Sequence, residues 1–161
     1  MCLALYIAAE NDLPLFASAP SQKPVTTSAV RSRRPDRFHT ELLREEQQIV
    51  RSHFSVPTVL FAGSYEGCSC GFNYGRGDDP EYDDDEEQLL AARESVAELV
   101  RYVRENSVKE LYACYFDDEA LPRESERWVA VDDLSSPTFQ FIKRQLLRIV
   151  APPNLSLHRS R

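Results

Sequence analysis

The sequence predicts a single α+β domain whose mixed sheet has about four or five strands. Three observations support this. Two short segments, residues 58–62 and 108–116, are largely apolar, as strands inside a sheet are. Between them, residues 84–105 repeat apolar side chains at helical spacing. The length of 161 residues suits one domain.

Together these three segments predict a parallel βαβ unit, because a strand, a helix and a second strand form a right-handed crossover by default. One apolar stripe runs along the helix and consists of Leu89, Ala92, Val96, Leu99 and Val103. Acidic residues 83–87 supply an N-cap and a negatively charged first turn, and Asn106 suits the end of the helix.

The other elements follow from local patterns. Residues 2–8 alternate with both faces apolar, which predicts a buried strand. Shorter elements are predicted at residues 38–43 (strand), 45–54 (helix) and 127–131 (strand). Residues 17–36 contain three prolines and many polar side chains, which predicts an irregular loop within a domain of residues 1–150.

A C-terminal helix is predicted over residues 137–150. Ser136 and Pro137 are typical of a helix start, since serine caps the first turn and proline is tolerated inside it. The apolar residues that follow are spaced about one turn apart: Phe139, Ile142, Leu146 and Ile149. Two prolines then end the pattern, and residues 151–161 are expected to form a flexible tail.

The net charge of −7 comes from one segment, because residues 78–87 carry eight acidic and no basic side chains. A near-neutral remainder argues against a nucleic-acid-binding protein. No apolar run approaches the roughly 20 residues of a membrane helix. Four cysteines in a chain of this size suit reduced thiols in the cytoplasm better than a disulfide framework, and Glu10 follows the first apolar run too soon for a signal peptide.

All five glycines lie in residues 61–77, the glycine-rich stretch, which leaves the sheet directly after the strand at 58–62. Residues 117–119 leave the second strand of the βαβ unit at the same end. Because ligands collect beyond the carboxyl ends of parallel strands, we expect a binding site there. Its candidate residues are Ser64, Tyr65, Glu66, Cys68, Cys70, Asp117 and Asp118.

This predicted site should reject nucleotides. The glycine-rich stretch contains no phosphate-binding motif, and the carboxylates at 78–87 precede the helix and would repel an anion at its N-terminus. The same negative field attracts cations. The leading hypothesis is therefore a non-enzymatic binding domain, with no catalytic residue assigned, that holds a basic protein segment or a divalent cation.

The alternative hypothesis is a thiol site. If the chain is extended at Cys68 and Cys70, both thiols point to one face and can bind a soft metal ion, zinc or copper. Zinc needs further ligands, for which the candidates are Cys114, Cys2, His39 and His53. Redox chemistry at the two thiols, an acyl-transfer or hydrolytic enzyme with a cysteine nucleophile, and simple packing of a tight turn remain open as other interpretations.

Overall fold

The computed structural model describes residues 1–16, 36–77 and 85–151. Within them, six strands form one sheet in the order β2-β3-β1-β4-β6-β5. The strands are β1 (Leu3–Ala9), β2 (Phe38–Leu42), β3 (Thr58–Ser64), β4 (Glu110–Tyr115), β5 (Ser125–Val129) and β6 (Gln145–Ile149). The helix α1 spans Glu86–Glu105, and three 3₁₀ helices span Glu45–His53, Cys70–Phe72 and Val131–Ser135.

The predicted class is confirmed, since the chain forms a single α+β domain with a mixed sheet. The described part of the chain has six strands rather than four or five, and its one parallel pair is β5 with β6. Apart from Asp36 and Ala151, the predicted loop at 17–36 and the predicted tail at 151–161 lie outside the described residues. Residues 78–84 of the acidic segment lie outside them as well.

The βαβ prediction needs a correction. β3 and β4 are not neighbours, because β1 lies between them and is antiparallel to both. Leu5 of β1 sits opposite Ala62 on one side and Ala113 on the other. β1 takes this central place because its side chains are buried on both faces of the sheet. β3 and β4 still run in the same direction, so both end at one edge, which we call the loop edge.

The sheet separates two cores. On the first face, the buried side chains of α1, among them Leu99 and Val103, share one core with side chains of β1 and β4. On the second face, Val50 of the 3₁₀ helix Glu45–His53 packs near Tyr6 and Tyr112. Every residue of β1 is buried, since alternate side chains enter alternate cores.

The helix α1 begins and ends close to its predicted bounds. The Asp85 carboxylate accepts hydrogen bonds from the Glu87 and Gln88 backbone N–H groups, both at 3.1 Å, and so caps the first turn. At the other end, the Asn106 backbone N–H donates to the Tyr102 carbonyl at 3.0 Å. In the described ranges, no helix combines the length and apolarity that a bilayer crossing requires.

The predicted C-terminal helix at 137–150 is wrong. Residues 145–149 form β6, which pairs antiparallel with β4. Leu146 and Leu147 enter the second and first cores respectively, so pairing at the open edge of β4 buries both side chains. A helix would have buried one stripe, and here tertiary burial outweighs the helical spacing. Phe139, predicted in that stripe, instead packs beside Phe141 in an irregular segment.

Buried acidic groups on β4 predict a loss of stability at alkaline pH. Burial raises the pKa of Cys114 from 9.0 to about 12 and that of Tyr112 from 10.0 to about 12. Well below pH 9 both groups are protonated in the folded and in the unfolded chain, so they add no pH dependence to the free energy of unfolding. Above it the unfolded chain loses protons that the folded chain retains, and the free energy of unfolding should fall by up to about 1.4 kcal/mol per pH unit per group.

Urea denaturation at pH 8 to 11 measures this slope. The variant Cys114→Ala lacks one titrating group, so its stability should fall less steeply between pH 9 and 11. Equal slopes for this variant and the wild type would contradict the assignment.

Candidate metal centre

Three thiols converge at the loop edge. The Sγ atoms of Cys2, Cys68 and Cys70 all lie within 4.8 Å of one another. At the usual Zn–S distance of about 2.3 Å, tetrahedral ligands stand about 3.8 Å apart, so the sulfurs need to approach by no more than about 1 Å to bind one ion. We call these three residues the thiol cluster.

Ser69 fixes the loop to the start of β1. Its hydroxyl accepts a hydrogen bond from the Leu5 N–H and donates to the Ala62 carbonyl, each at 2.7 Å. Its backbone N–H donates to the Leu3 carbonyl at 3.1 Å. Because Ser69 is fully buried, each of these polar atoms would be costly to leave unpaired. The residues on either side, Cys68 and Cys70, are therefore held beside the first residues of β1.

Ser64 holds Cys68 from the end of β3. Its backbone N–H and its hydroxyl both donate to the Cys68 carbonyl, at 2.8 and 2.7 Å. Gly67 closes the turn by donating to the Ser64 carbonyl at 3.0 Å, and its φ of 80° is one that glycine adopts without strain. The chain thus forms a tight turn here, one of the interpretations left open by the sequence, and the extended geometry on which a pairing of the two thiols was conditional is absent from residues 65–69. The turn itself brings the thiols together.

Cys70 begins the 3₁₀ helix Cys70–Phe72, and Phe72 anchors that helix in the first core. The Leu3 N–H donates to the Cys70 Sγ at 3.1 Å. A hydrogen bond of this kind orients a metal ligand and stabilises a thiolate. The backbone of β1 therefore supports Cys70, while Cys2, just before β1, supplies the third sulfur.

Burial raises the pKa of Cys68 from 9.0 to about 12. The thiols of Cys70 and Cys2 raise this pKa further, and a hydrogen bond from the Cys70 backbone lowers it. Cys68 is therefore a protonated thiol at neutral pH and lacks the lowered pKa of an activated nucleophile. A metal ion would displace the proton, so metal affinity at this cluster should rise with pH.

The other predicted zinc ligands lie elsewhere. Cys114 is buried in the second core. His39 is buried opposite Gly63, and burial lowers its pKa, which keeps the ring neutral at pH 7. His53 contacts the Glu119 carbonyl through Nε2 at 2.8 Å and stacks on Tyr112 with ring centroids 4.3 Å apart. Of the four candidates, Cys2 alone joins Cys68 and Cys70.

Among the described residues, two acidic side chains of the predicted binding site, Glu66 and Asp117, border different cavities. Glu66 and Cys70 line a groove of about 780 Å³, which Lys143 and Arg76 also line. Asp117 borders a different cavity of about 400 Å³, on the side of the 3₁₀ helix Glu45–His53. The two cavities share no lining residue. The groove beside the thiol cluster therefore carries both signs of charge.

The remaining predicted site residues support the loop edge. The Tyr65 N–H donates to the Ser95 hydroxyl on α1 at 3.2 Å, while burial raises the pKa of the Tyr65 phenol well above its usual range. Asp118 is half-buried, and its N–H closes a turn with the Tyr115 carbonyl at 3.0 Å. These contacts orient the backbone that surrounds the thiol cluster.

Arg76 secures the far end of the glycine-rich stretch. Its guanidinium donates to the backbone carbonyls of Phe72, Leu134 and Ser136, at 3.0, 2.5 and 2.7 Å. Burial lowers its pKa to about 10. The stretch is thus fixed to the sheet at Ser69 and to the 131–136 segment at Arg76, so the thiol cluster stands on a supported loop.

The position of Cys2 could not be derived from cysteine spacing, because it depends on the strand order. The usable signal is that Cys2 immediately precedes a strand buried on both faces. Pairing that strand antiparallel to the strand at 58–62 would have placed Cys2 at the loop edge. Three sulfur donors on a supported loop can bind one soft metal ion.

Neither a family model, nor a curated protein, nor a solved structure matches this chain.

Proposed function

We propose that this protein binds one soft metal ion, Zn²⁺ or Cu⁺, through Cys2, Cys68 and Cys70. The observation that carries the proposal is the approach of the three Sγ atoms to within 4.8 Å of one another. A thiol cluster of this kind binds metal only when reduced, so a reducing compartment such as the cytoplasm is the setting we propose.

The donor set restricts the metal. Thiolates are soft ligands that select Cu⁺ and Zn²⁺ over Mg²⁺ and Ca²⁺, which prefer oxygen. Three thiolates leave one position of a tetrahedral zinc ion for water or another ligand. The Glu66 carboxylate is close by, since the Cys68 thiol donates to its Oε2 at 4.0 Å. Glu66 therefore lies next to the thiol cluster but is not one of its three donors, so the fourth position stays open to water or to an incoming ligand.

Metal binding should also stabilise the fold. The ion would link Cys2, ahead of the central strand β1, to the turn at 68–70. Any ion that binds the folded chain more tightly than the unfolded one raises stability, by about 2.7 kcal/mol at a free concentration 100 times the dissociation constant. Thermal unfolding should therefore shift upward when zinc is added to the reduced protein.

Elemental analysis of the reduced, purified protein tests the proposal. We expect one zinc or copper ion per chain, and a loss of at least tenfold in affinity for Cys68→Ser, equal to about 1.4 kcal/mol. The matched control is Cys114→Ala, which removes a cysteine outside the cluster and should keep full stoichiometry. The proposal fails if the wild type binds no ion, or if Cys68→Ser binds as tightly as the control does.

The hypothesis that an acidic mouth holds a basic protein segment stays a prediction. The acidic segment, residues 78–87, has ten residues, and seven of them, residues 78–84, lie outside the described part of the chain. At the loop edge itself, Glu66 shares the groove with Lys143 and Arg76, so the described part of this site is not uniformly acidic. Binding of a basic peptide that weakens as salt rises would support that hypothesis independently of the thiols.

A further inference from the structure

The three thiols differ in how firmly the fold holds them. Cys68 and Cys70 are half-buried in the turn that Ser64 and Ser69 fix by hydrogen bonds. Cys2 is exposed, and its thiol makes no hydrogen bond to any residue in the described ranges. Its backbone carbonyl accepts one from the Phe116 N–H at 3.2 Å, so the backbone of this residue is held while its side chain is in solvent. One ligand of the cluster is therefore much easier to displace than the other two.

The cluster is also open to an incoming ligand. Among the described residues, no fourth histidine, cysteine, aspartate or glutamate joins the three sulfurs. Cys70 lines the groove of about 780 Å³, a volume within the range of protein ligand sites. Structural zinc sites are closed by four protein ligands, whereas catalytic sites keep a position open, where another ligand can enter. This geometry belongs to the second kind.

From this geometry we infer that the thiol cluster is an exchange site, which transfers its metal ion to or from a partner protein that presents a cysteine thiol, with Cys2 as the ligand displaced first. The inference rests on the proposed metal binding and names the partner's chemistry. The groove beside Cys70 is the route by which a loop of that partner reaches the ion.

The exchange step is balanced without any oxidant. The partner thiol gives up its proton as its sulfur forms a bond to the metal, and the bond from the metal to Cys2 breaks. The proton passes to the departing Cys2 sulfur, so charge is conserved and no atom changes oxidation state. Two further incoming thiols, from the same partner or from a second copy of it, repeat this step at Cys70 and Cys68 and complete the transfer. Each step replaces one metal–sulfur bond by another.

Stopped-flow transfer of cobalt(II) tests the inference, because cobalt replaces zinc in thiolate sites and is coloured there. The full reduced chain, loaded with one equivalent of Co²⁺, is mixed with excess synthetic peptide bearing two cysteines two residues apart. We expect the observed rate to rise in proportion to peptide concentration, tenfold for a tenfold increase. A peptide with serines in place of both cysteines should take up no cobalt.

A transfer rate that does not depend on peptide concentration would overturn the inference, since the ion would then leave a closed site before the acceptor binds. Cys2→Ser should transfer cobalt several-fold faster than the wild type, whereas the control Cys114→Ala should transfer it at the wild-type rate. Equal rates for all three proteins would contradict the role of Cys2. Wild-type protein that takes up neither cobalt(II) nor Cu⁺ would overturn the metal site itself. Equimolar uptake with concentration-independent release would overturn the exchange alone.

Discussion

Replacement of Arg148 by methionine should destabilise the protein by about 3 kcal/mol or more, because it leaves a buried carboxylate without its cation. Glu110 is only 2% exposed, and Arg148 forms an ion pair with it through Nη1. The same carboxylate accepts hydrogen bonds from the Ser55 N–H at 2.8 Å and the Ser55 hydroxyl at 2.7 Å. Those two bonds cannot compensate a full charge once the guanidinium is gone.

Urea denaturation of Arg148→Met measures this loss. The matched control is Arg123→Met, since Arg123 pairs with Glu126 at an exposed position and should be close to the wild type in stability. In the double variant Glu110→Gln with Arg148→Met no buried charge is left, so much of the lost stability should return. If the free energy of unfolding of Arg148→Met lies within about 1 kcal/mol of the wild-type value, the loss is too small for a broken buried ion pair, and the pair is dispensable.

Gly63→Ala should cost about 3 kcal/mol or more through overpacking between β2 and β3. Gly63 lies opposite His39 in the sheet, and a Cβ at this glycine would stand 1.9 Å from His39 Cε1 and 2.1 Å from Nε2. The ring cannot move aside, since His39 is 2% exposed and packs against Phe61 with ring centroids 6.0 Å apart. Either the imidazole or the strand pairing must therefore shift.

The double variant Gly63→Ala with His39→Ala separates this clash from a general intolerance of the strand. Removal of the ring should make the added methyl group nearly neutral, which gives a large coupling energy in a double-mutant cycle. Gly67→Ala serves as the comparison, because its Cβ meets no atom within 4 Å and its cost, about 1–2 kcal/mol, comes only from the positive φ. Similar losses for both single variants would contradict the role assigned to His39.

Local sequence patterns predicted most elements near the loop edge. The segments that are apolar on both faces form β1, β3 and β4, and the segment with the apolar stripe forms α1, with Asp85 as its N-cap. These predictions succeeded because side-chain periodicity and capping depend on residues close together in the chain. The glycine-rich stretch and residues 117–119 leave the sheet at one edge, as predicted. This holds because β3 and β4 run in the same direction although β1 lies between them.

Local patterns failed where the partner of a segment lies far away in sequence. The spacing of Leu146 and Ile149 fits a helix, but the open edge of β4 offered burial on both faces and made the segment a strand. Glu66 and Asp117, expected in one binding site, border different cavities, which lie on opposite faces of the sheet. Neither outcome is visible without the order of the strands.

The amino-acid sequence by itself determined the fold class, the buried strands, the helix and the turn that carries Cys68 and Cys70. Only the tertiary structure decided that β1 lies between β3 and β4, and with it that Cys2 joins two thiols more than sixty residues away. The physical reason is that strand pairing is a competition among distant apolar faces for burial, whereas helix periodicity, caps and glycine turns are set by neighbours in the chain.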